Sequence, residues 1–253
     1  MIKEYTKENL KIRIFATRDE MGNHGAEMAA QRIRTLLKNK DVINILFAAA
    51  PSQNELLANL CMKPDIEWNR INAFHMDEYI GLPIDNPQTF GKYLNNHIFS
   101  KVPFRKIYYI NGLSDDPKET CNIYTELLNN NPLDFGFLGI GENGHIAFND
   151  PPVADFEDPL DIKVVELDAI CRQQQVNDAC FIKLADVPTH AITLTIPALF
   201  RIPAIFCTAP TVKKAQAIYN TINGEISTKC PASILRLHRD TTIYLDEASA
   251  SLL

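Results

Sequence analysis

The stretch LGIGENGHIAFNDP, residues 138–151, decides how the rest of the chain reads. It follows directly on the apolar run Phe135-Gly136-Phe137-Leu138, which has the length and composition of a buried strand. Gly139, Gly141 and Gly144 come next, and glycines at that density let a strand end in a sharp, exposed loop. The loop carries Glu142, Asn143, His145, Asn149 and Asp150. Taken singly, each is a turn residue, a cap or a structural imidazole. Taken together on a loop at the end of a buried strand, they form a candidate site, because α/β folds place their chemistry there.

Outward from this stretch, short apolar runs alternate with helical patterns. Upstream, residues 42–48 are a continuous apolar run closed by Pro51, with Ser52 placed to cap a helix through Leu56, Leu57 and Leu60. A strand over residues 71–76 runs into Asp77-Glu78-Tyr79, a segment broken by Gly81 and Pro83. Pro87 opens a helix with a Phe90, Tyr93, Leu94, Ile98 and Phe99 stripe, and residues 106–110 are a further strand. Asp115 or Asp116 before Pro117 starts a helix that turns Ile123, Tyr124, Leu127 and Leu128 inward. Nearer the N-terminus, residues 11–15 are a strand and residues 18–40 a helix, weakened in its first turns by Gly22 and Gly25.

Downstream, the acidic residues 153–161 are irregular and residues 162–165 a strand. Residues 168–179 are helix-prone, and 191–196, 204–208 and 242–245 are strands. Thr211 is placed to cap a helix over residues 212–222 that Gly224 stops. No repeat or linker divides residues 1–253, so the expectation is one domain. The alternation predicts an α/β fold: a mostly parallel sheet with helices on both faces. Ligands then bind beyond the carboxyl ends of the strands, where residues 49–52, 77–81 and 139–150 are expected to converge.

Composition narrows the class. A hydrophobic content of 46% with 22% charged residues is ordinary for a folded soluble chain. A formal net charge of -6 argues against a nucleic-acid or anionic-membrane surface, though a local cluster of cations and N–H groups can still hold one phosphate. No apolar run approaches a membrane span, and six scattered cysteines without a CxxC pair fit reduced thiols of the cytoplasm. A metal site is not indicated, because no other His or Cys stands at ligand spacing from His145. No GxSxG elbow points to a serine nucleophile. What remains is proton transfer. Asp77 is a carboxylate desolvated at a strand end, and His145 is an imidazole with Asp150 as its orienting partner.

MDEYIGLP (residues 76–83) and LGIGENGHIAFNDP (residues 138–151) resemble the two signature stretches of glucosamine-6-phosphate deaminases. The likeness runs along essentially the whole chain, including PASILRLH at residues 231–238. The sister branch, 6-phosphogluconolactonase, carries a different text after its glycine–histidine pair. The resemblance implies a Rossmann-like fold and an aldose–ketose isomerisation coupled to amine loss, with neither metal nor organic cofactor. It implies that His145, assisted by Asp150 and Asn143, opens the sugar ring, and that Asp77 moves a proton from C2 to C1. It further implies that Lys214 holds the substrate phosphate, with Gly141 and the loop of Ala49, Ala50 and Ser52 around the substrate.

The chain departs from the family pattern in three places. Ala49-Ala50-Pro51-Ser52 stands where a Thr-Gly-Gly-Thr type loop is usual, and Pro51 has no N–H to offer an anion. The family's phosphate-gripping arginine has only Arg172 as a candidate, and aligning through it leaves Asn177 in its place. Asp150 stands where glutamate is common, and Asn143 where some members have aspartate. These changes spare the proton-transfer groups and alter the anion grip. They leave open a related sugar-phosphate isomerase or lactonase and a non-catalytic sugar-phosphate-binding regulator, the latter disfavoured by the retained Asp77, His145 and Asp150; the oligomeric state, a homo-oligomer included, is not fixed by the sequence.

Overall fold

Strand β7 (Phe135–Leu138) lies inside an eight-stranded sheet in the computed structural model, which describes residues 1–83, 85–177 and 179–253. Its other strands are β1 (Lys3–Lys7), β2 (Leu10–Phe15), β3 (Ile43–Phe47), β4 (Ile71–His75), β6 (Lys106–Tyr108), β10 (Ile205–Thr208) and β11 (Thr241–Asp246). Their order is β1-β2-β11-β10-β7-β3-β4-β6. Every pairing is parallel except that of β1 with β2, which is antiparallel. β1 was not foreseen. Its KEYTK sequence is polar on both faces and mostly exposed, as suits a charged edge strand that discourages further pairing.

The helices are α1 (Arg18–Leu37), α2 (Asn54–Cys61), α3 (Phe90–Leu94), α4 (Pro117–Asn130), α5 (Ala169–Asn177), α6 (Ile196–Phe200) and α7 (Ala215–Asn223). Period-two alternation divides the core between the two faces of the sheet. Ile45, Phe47, Phe135 and Phe137 pack with α1 and α2. Leu46 and Leu138 turn to the other face, where Tyr124 of α4 and Ile218 of α7 meet them. Helices on both faces follow from strands that are apolar on both faces.

Gly22 does more than weaken α1. A Cβ there would lie 2.4 Å from Glu55 Cβ, so the glycine is what lets α1 cross α2 at that distance. Asp116 caps α4 as expected, accepting from the N–H groups of Lys118 and Glu119, but Ile123 faces solvent rather than the core. Thr89, not Pro87, begins α3, its side chain accepting from Lys92 N–H. The helix expected over residues 168–179 is shorter, and its position 178 lies outside the described residues.

The largest departure is a second sheet, antiparallel and three-stranded, ordered β5-β9-β8, with β5 (Asp77–Tyr79), β8 (Ile162–Glu166) and β9 (His190–Leu194). The segment expected to be a loop at residues 77–79 is a buried strand, and two strands expected in the parallel sheet belong here. Asp and Glu have low strand propensity, so tertiary pairing decides β5. Only Met76 separates β4 from β5, and its carbonyl accepts from Leu194 N–H at 2.8 Å. The chain thus leaves the main sheet at Asp77.

Candidate active site

Adjacent strands β10, β7, β3 and β4 present their carboxyl ends side by side, and the loops that leave them line one cleft. Asp77, His145, Gly141, Ala49, Ala50, Ser52 and Lys214 all border it. The three loops selected from sequence therefore do converge.

Asp77 is held from behind. Ile110 N–H donates to His75 Nε2 at 2.9 Å, so the proton sits on Nδ1, which donates to the Asp77 carbonyl at 2.9 Å. Tyr124 hydroxyl donates to the His75 carbonyl at 2.8 Å. Burial pulls His75 down to about 4, so it is a neutral structural imidazole near neutral pH. The Asp77 side chain faces the cleft. Burial first, and the neighbouring Glu78 charge second, push its pKa well above the ordinary aspartate value. Raising a carboxyl in this way strengthens it as a base. Glu78 turns away from the cleft and accepts the N–H groups of Tyr79, Phe90 and Gly91 at 2.9–3.0 Å. Burial still pushes it up to about 7 against those three donors.

His145, Asn143 and Asp150 form one hydrogen-bonded group. His145 Nδ1 lies 2.8 Å from both Asn143 Oδ1 and Asp150 Oδ1, and Asn143 Nδ2 donates to Asp150 Oδ1 at 2.8 Å. With both partners accepting, Nδ1 carries the proton and Nε2 is the acceptor. Burial raises the Asp150 carboxyl. The His145 charge, hydrogen bonds from His145 and Asn143, and the nearby Cys171 thiol outweigh it and bring Asp150 below its ordinary value. The imidazole lies flat against Gly141: a Cβ there would come within 2.2–2.4 Å of three ring atoms. Gly141 N–H is taken by the His145 carbonyl at 2.9 Å, so this glycine shapes the site through close approach rather than by donating to a ligand. Ligand atoms of His145, Asp150 and Cys171 lie within 4.8 Å of one another. Nδ1 and Oδ1 sit at hydrogen-bond separation, closer than the roughly 3.3 Å that two ligands keep around a tetrahedral ion with bonds near 2 Å.

Pro51 begins a short 3-10 turn (Pro51–Gln53) that also lines the cleft. Ser52 lies inside the turn and does not cap α2; its Oγ accepts from Gln53 Nε2 at 3.2 Å. Three contacts brace the loop. Tyr93 hydroxyl donates to the Ala50 carbonyl at 2.7 Å, Thr208 hydroxyl to the Ser52 carbonyl at 3.0 Å, and buried Gln53 to the Leu138 carbonyl at 3.0 Å. Lys214 ends a 3-10 turn (Val212–Lys214) ahead of α7. Thr211 does not cap it through its side chain; it takes φ 82°, and its N–H donates to both Asp246 carboxylate oxygens at 3.0 and 3.1 Å. That constrained turn brings buried Lys214 to the cleft wall.

Arg172 is not part of the site. Its Nη2 donates to the carbonyls of Leu184 and Val187 at 2.9 and 2.8 Å, fastening α5 to the segment that leads into β9. Aligned by motif alone it stood near the right place, but its side chain points to a different neighbour. Arg18, Tyr93, Phe148, Gln174 and Gln175 line the cleft and were not foreseen. Arg18 had a signal: it follows β2, another parallel strand, so the carboxyl-end rule that selected the other loops covers it too.

The fold and site define an α/β protein with a cleft lined by a buried carboxyl, an imidazole paired with a carboxylate, and the cations Arg18 and Lys214. A family model described as glucosamine-6-phosphate isomerases/6-phosphogluconolactonase matches residues 16–244, and the chain belongs to this family. A glucosamine-6-phosphate deaminase of Listeria welshimeri is 38% identical over 211 residues, 83% of this chain and 88% of that one. One from Clostridium acetobutylicum is 35% identical over 239 residues, 93% and 96% of the two chains. Among solved structures, a monomeric glucosamine-6-phosphate deaminase superposes with a TM-score of 0.86 at 28% identity, over 96% of this chain and 99% of that chain. A 6-phosphogluconolactonase of Thermotoga maritima reaches 0.75 at 20% identity, over 93% and 98%, a likeness of fold.

Proposed function

We propose that this chain is a glucosamine-6-phosphate deaminase, converting glucosamine 6-phosphate and water to fructose 6-phosphate and ammonia in amino-sugar catabolism. The observation that carries the reading is Asp77: a buried carboxylate of raised pKa in the same cleft as the His145–Asn143–Asp150 group. Hydrolysing a lactone needs no base for a carbon-bound proton, whereas isomerisation does.

His145 Nε2 takes the proton of the sugar's O1 hydroxyl and delivers it to the ring oxygen, which breaks the C1–O5 bond and leaves an aldehyde. The negative charge of Asp150 and the carbonyl of Asn143 stabilise the imidazolium formed on the way. Asp77 then removes the C2 proton; that electron pair forms C1=C2 of an enolamine while the C1=O π pair moves to O1, which takes a proton from water. Asp77 returns its proton to C1, and the nitrogen lone pair forms an iminium at C2. The hydroxide left from that water adds at C2, its proton passes to the nitrogen as the C2–N bond breaks, and ammonia leaves with the ketose. Lys214 and the loop of Ala49, Ala50 and Ser52 hold the phosphate, so remote binding free energy fixes C2 against Asp77.

All six cysteines are free, which fits a reducing cytoplasm, and one domain carries the whole reaction. Among the described residues no helix is long and apolar enough to cross a membrane. The test is a paired assay on the purified chain for ammonia and ketose phosphate from glucosamine 6-phosphate, and for acid release from 6-phosphogluconolactone. Ammonia and ketose phosphate in equal amounts are expected. Lactone hydrolysis without ammonia release overturns the proposal.

A further inference from the structure

Arg18 stands at the mouth of the cleft with no role in the proton transfers. It is the first residue of α1, and its Nη2 donates to the Pro51 carbonyl at 2.8 Å and to Glu55 Oε2 at 2.8 Å. The guanidinium thus rests on the very loop whose sequence departs from the family pattern. Among the described residues Nη1 makes no hydrogen bond, and Arg18 lines the cleft together with Ser52 and Lys214. Its side chain keeps 31% of its surface exposed and Glu55 keeps 22%, so ligand can reach the guanidinium while the ion pair fixes its orientation.

We infer that Arg18 is a phosphate-binding residue of this site, acting with Lys214 in place of the backbone donor lost at Pro51 and of the arginine that α5 does not supply. This rests on the proposed sugar-phosphate substrate. The physical logic is a single exchange. Proline removes an N–H from the loop, and its carbonyl, oriented outward, anchors a guanidinium that brings several N–H donors back. Arginine suits the task because its planar fork meets two phosphate oxygens at once and it stays charged at any relevant pH. The competing reading is a brace between α1 and α2, since Glu55 belongs to α2 at the Gly22 crossing.

Titration calorimetry with inorganic phosphate, and separately with glucosamine 6-phosphate, distinguishes the two on Arg18→Gln, Arg18→Lys and Glu55→Gln. As a binding residue, Arg18 makes Arg18→Gln weaken both ligands roughly ten- to a hundredfold, the range of one charge-assisted hydrogen bond. Arg18→Lys recovers part of the loss. Glu55→Gln, which removes the competing carboxylate but keeps the guanidinium, binds phosphate as tightly as wild type or tighter. A brace predicts instead that Arg18→Gln and Glu55→Gln weaken binding equally and lower the melting temperature together, and that result overturns the inference. So does phosphate affinity within twofold of wild type in Arg18→Gln, or a wild-type chain that binds no phosphate. Since binding is read without turnover, the two claims separate. Ammonia release with an unchanged KM in Arg18→Gln sinks this inference alone. Phosphate binding that depends on Arg18 in a chain that releases no ammonia sinks only the deaminase reading.

Discussion

At the scale of single residues, the surroundings of two carboxyls push their protonation in opposite directions. Asp77 is a carboxyl made basic by burial, and Asp150 is a carboxyl kept anionic by His145 and Asn143. Environments that push two similar groups in opposite directions are how one cleft runs acid and base steps together. His145→Gln keeps an amide near Asn143 but removes the group that cycles a proton. It should slow turnover from the closed-ring sugar by roughly two orders of magnitude or more, and turnover from an open-chain analogue much less. Equal losses on both substrates would show that His145 does not act in ring opening. Asn143, His145 and Asp150 were legible in the sequence because one glycine-rich loop carries all three, and Asp77 because it stands where the strand of residues 71–76 ends. The role of Gly141 was not, since only the ring packed against it shows that the glycine makes room rather than donates.

At the scale of elements, parallel strands and their helices were readable from period and punctuation, while β5, β8 and β9 were not placed. Nothing local distinguishes a short strand of a second sheet from one of the first. The pairing partner decides, and here β9 fastens β5 through Thr193 opposite Asp77. Arg172 shows the same limit for a side chain, its position in α5 being roughly foreseen and its direction not. Because it ties α5 to the Leu184 and Val187 carbonyls, Arg172→Ala should lower stability by about 1.5–3 kcal/mol, the range for hydrogen bonds to a charged group. The KM for glucosamine 6-phosphate should change less than threefold. Chemical denaturation and steady-state kinetics on the same preparation test this. A tenfold rise in KM at unchanged stability would restore Arg172 to the substrate site.

Across the whole molecule, the small sheet carries two adjacent buried carboxyls on β5, just past the carboxyl end of β4. Both of them, Asp77 and Glu78, have raised pKa values, with burial the leading cause. A carboxyl held protonated in the fold but ionised in the unfolded chain favours unfolding as pH rises. Glu78 has an ordinary value of 4.5 and stands at about 7 in the fold. Relative to Glu78→Gln, wild-type stability should therefore fall as pH rises from about 4.5 to about 7 and level off above that. Parallel melting curves check the sign, and a rise over the same window would mean that Glu78 is stabilised as the anion. The cost of keeping such groups buried fits a functional site better than a structural one.

Asp77→Asn isolates the removal of the carbon-bound proton when turnover of glucosamine 6-phosphate and its dissociation constant are measured on one folded preparation. Asparagine keeps the shape and loses the base. The expected kcat is lower by roughly two to four orders of magnitude, with the dissociation constant within a few-fold of wild type. Turnover within a few-fold of wild type would contradict Asp77 as the base, because a carbon-bound proton would then be leaving without it.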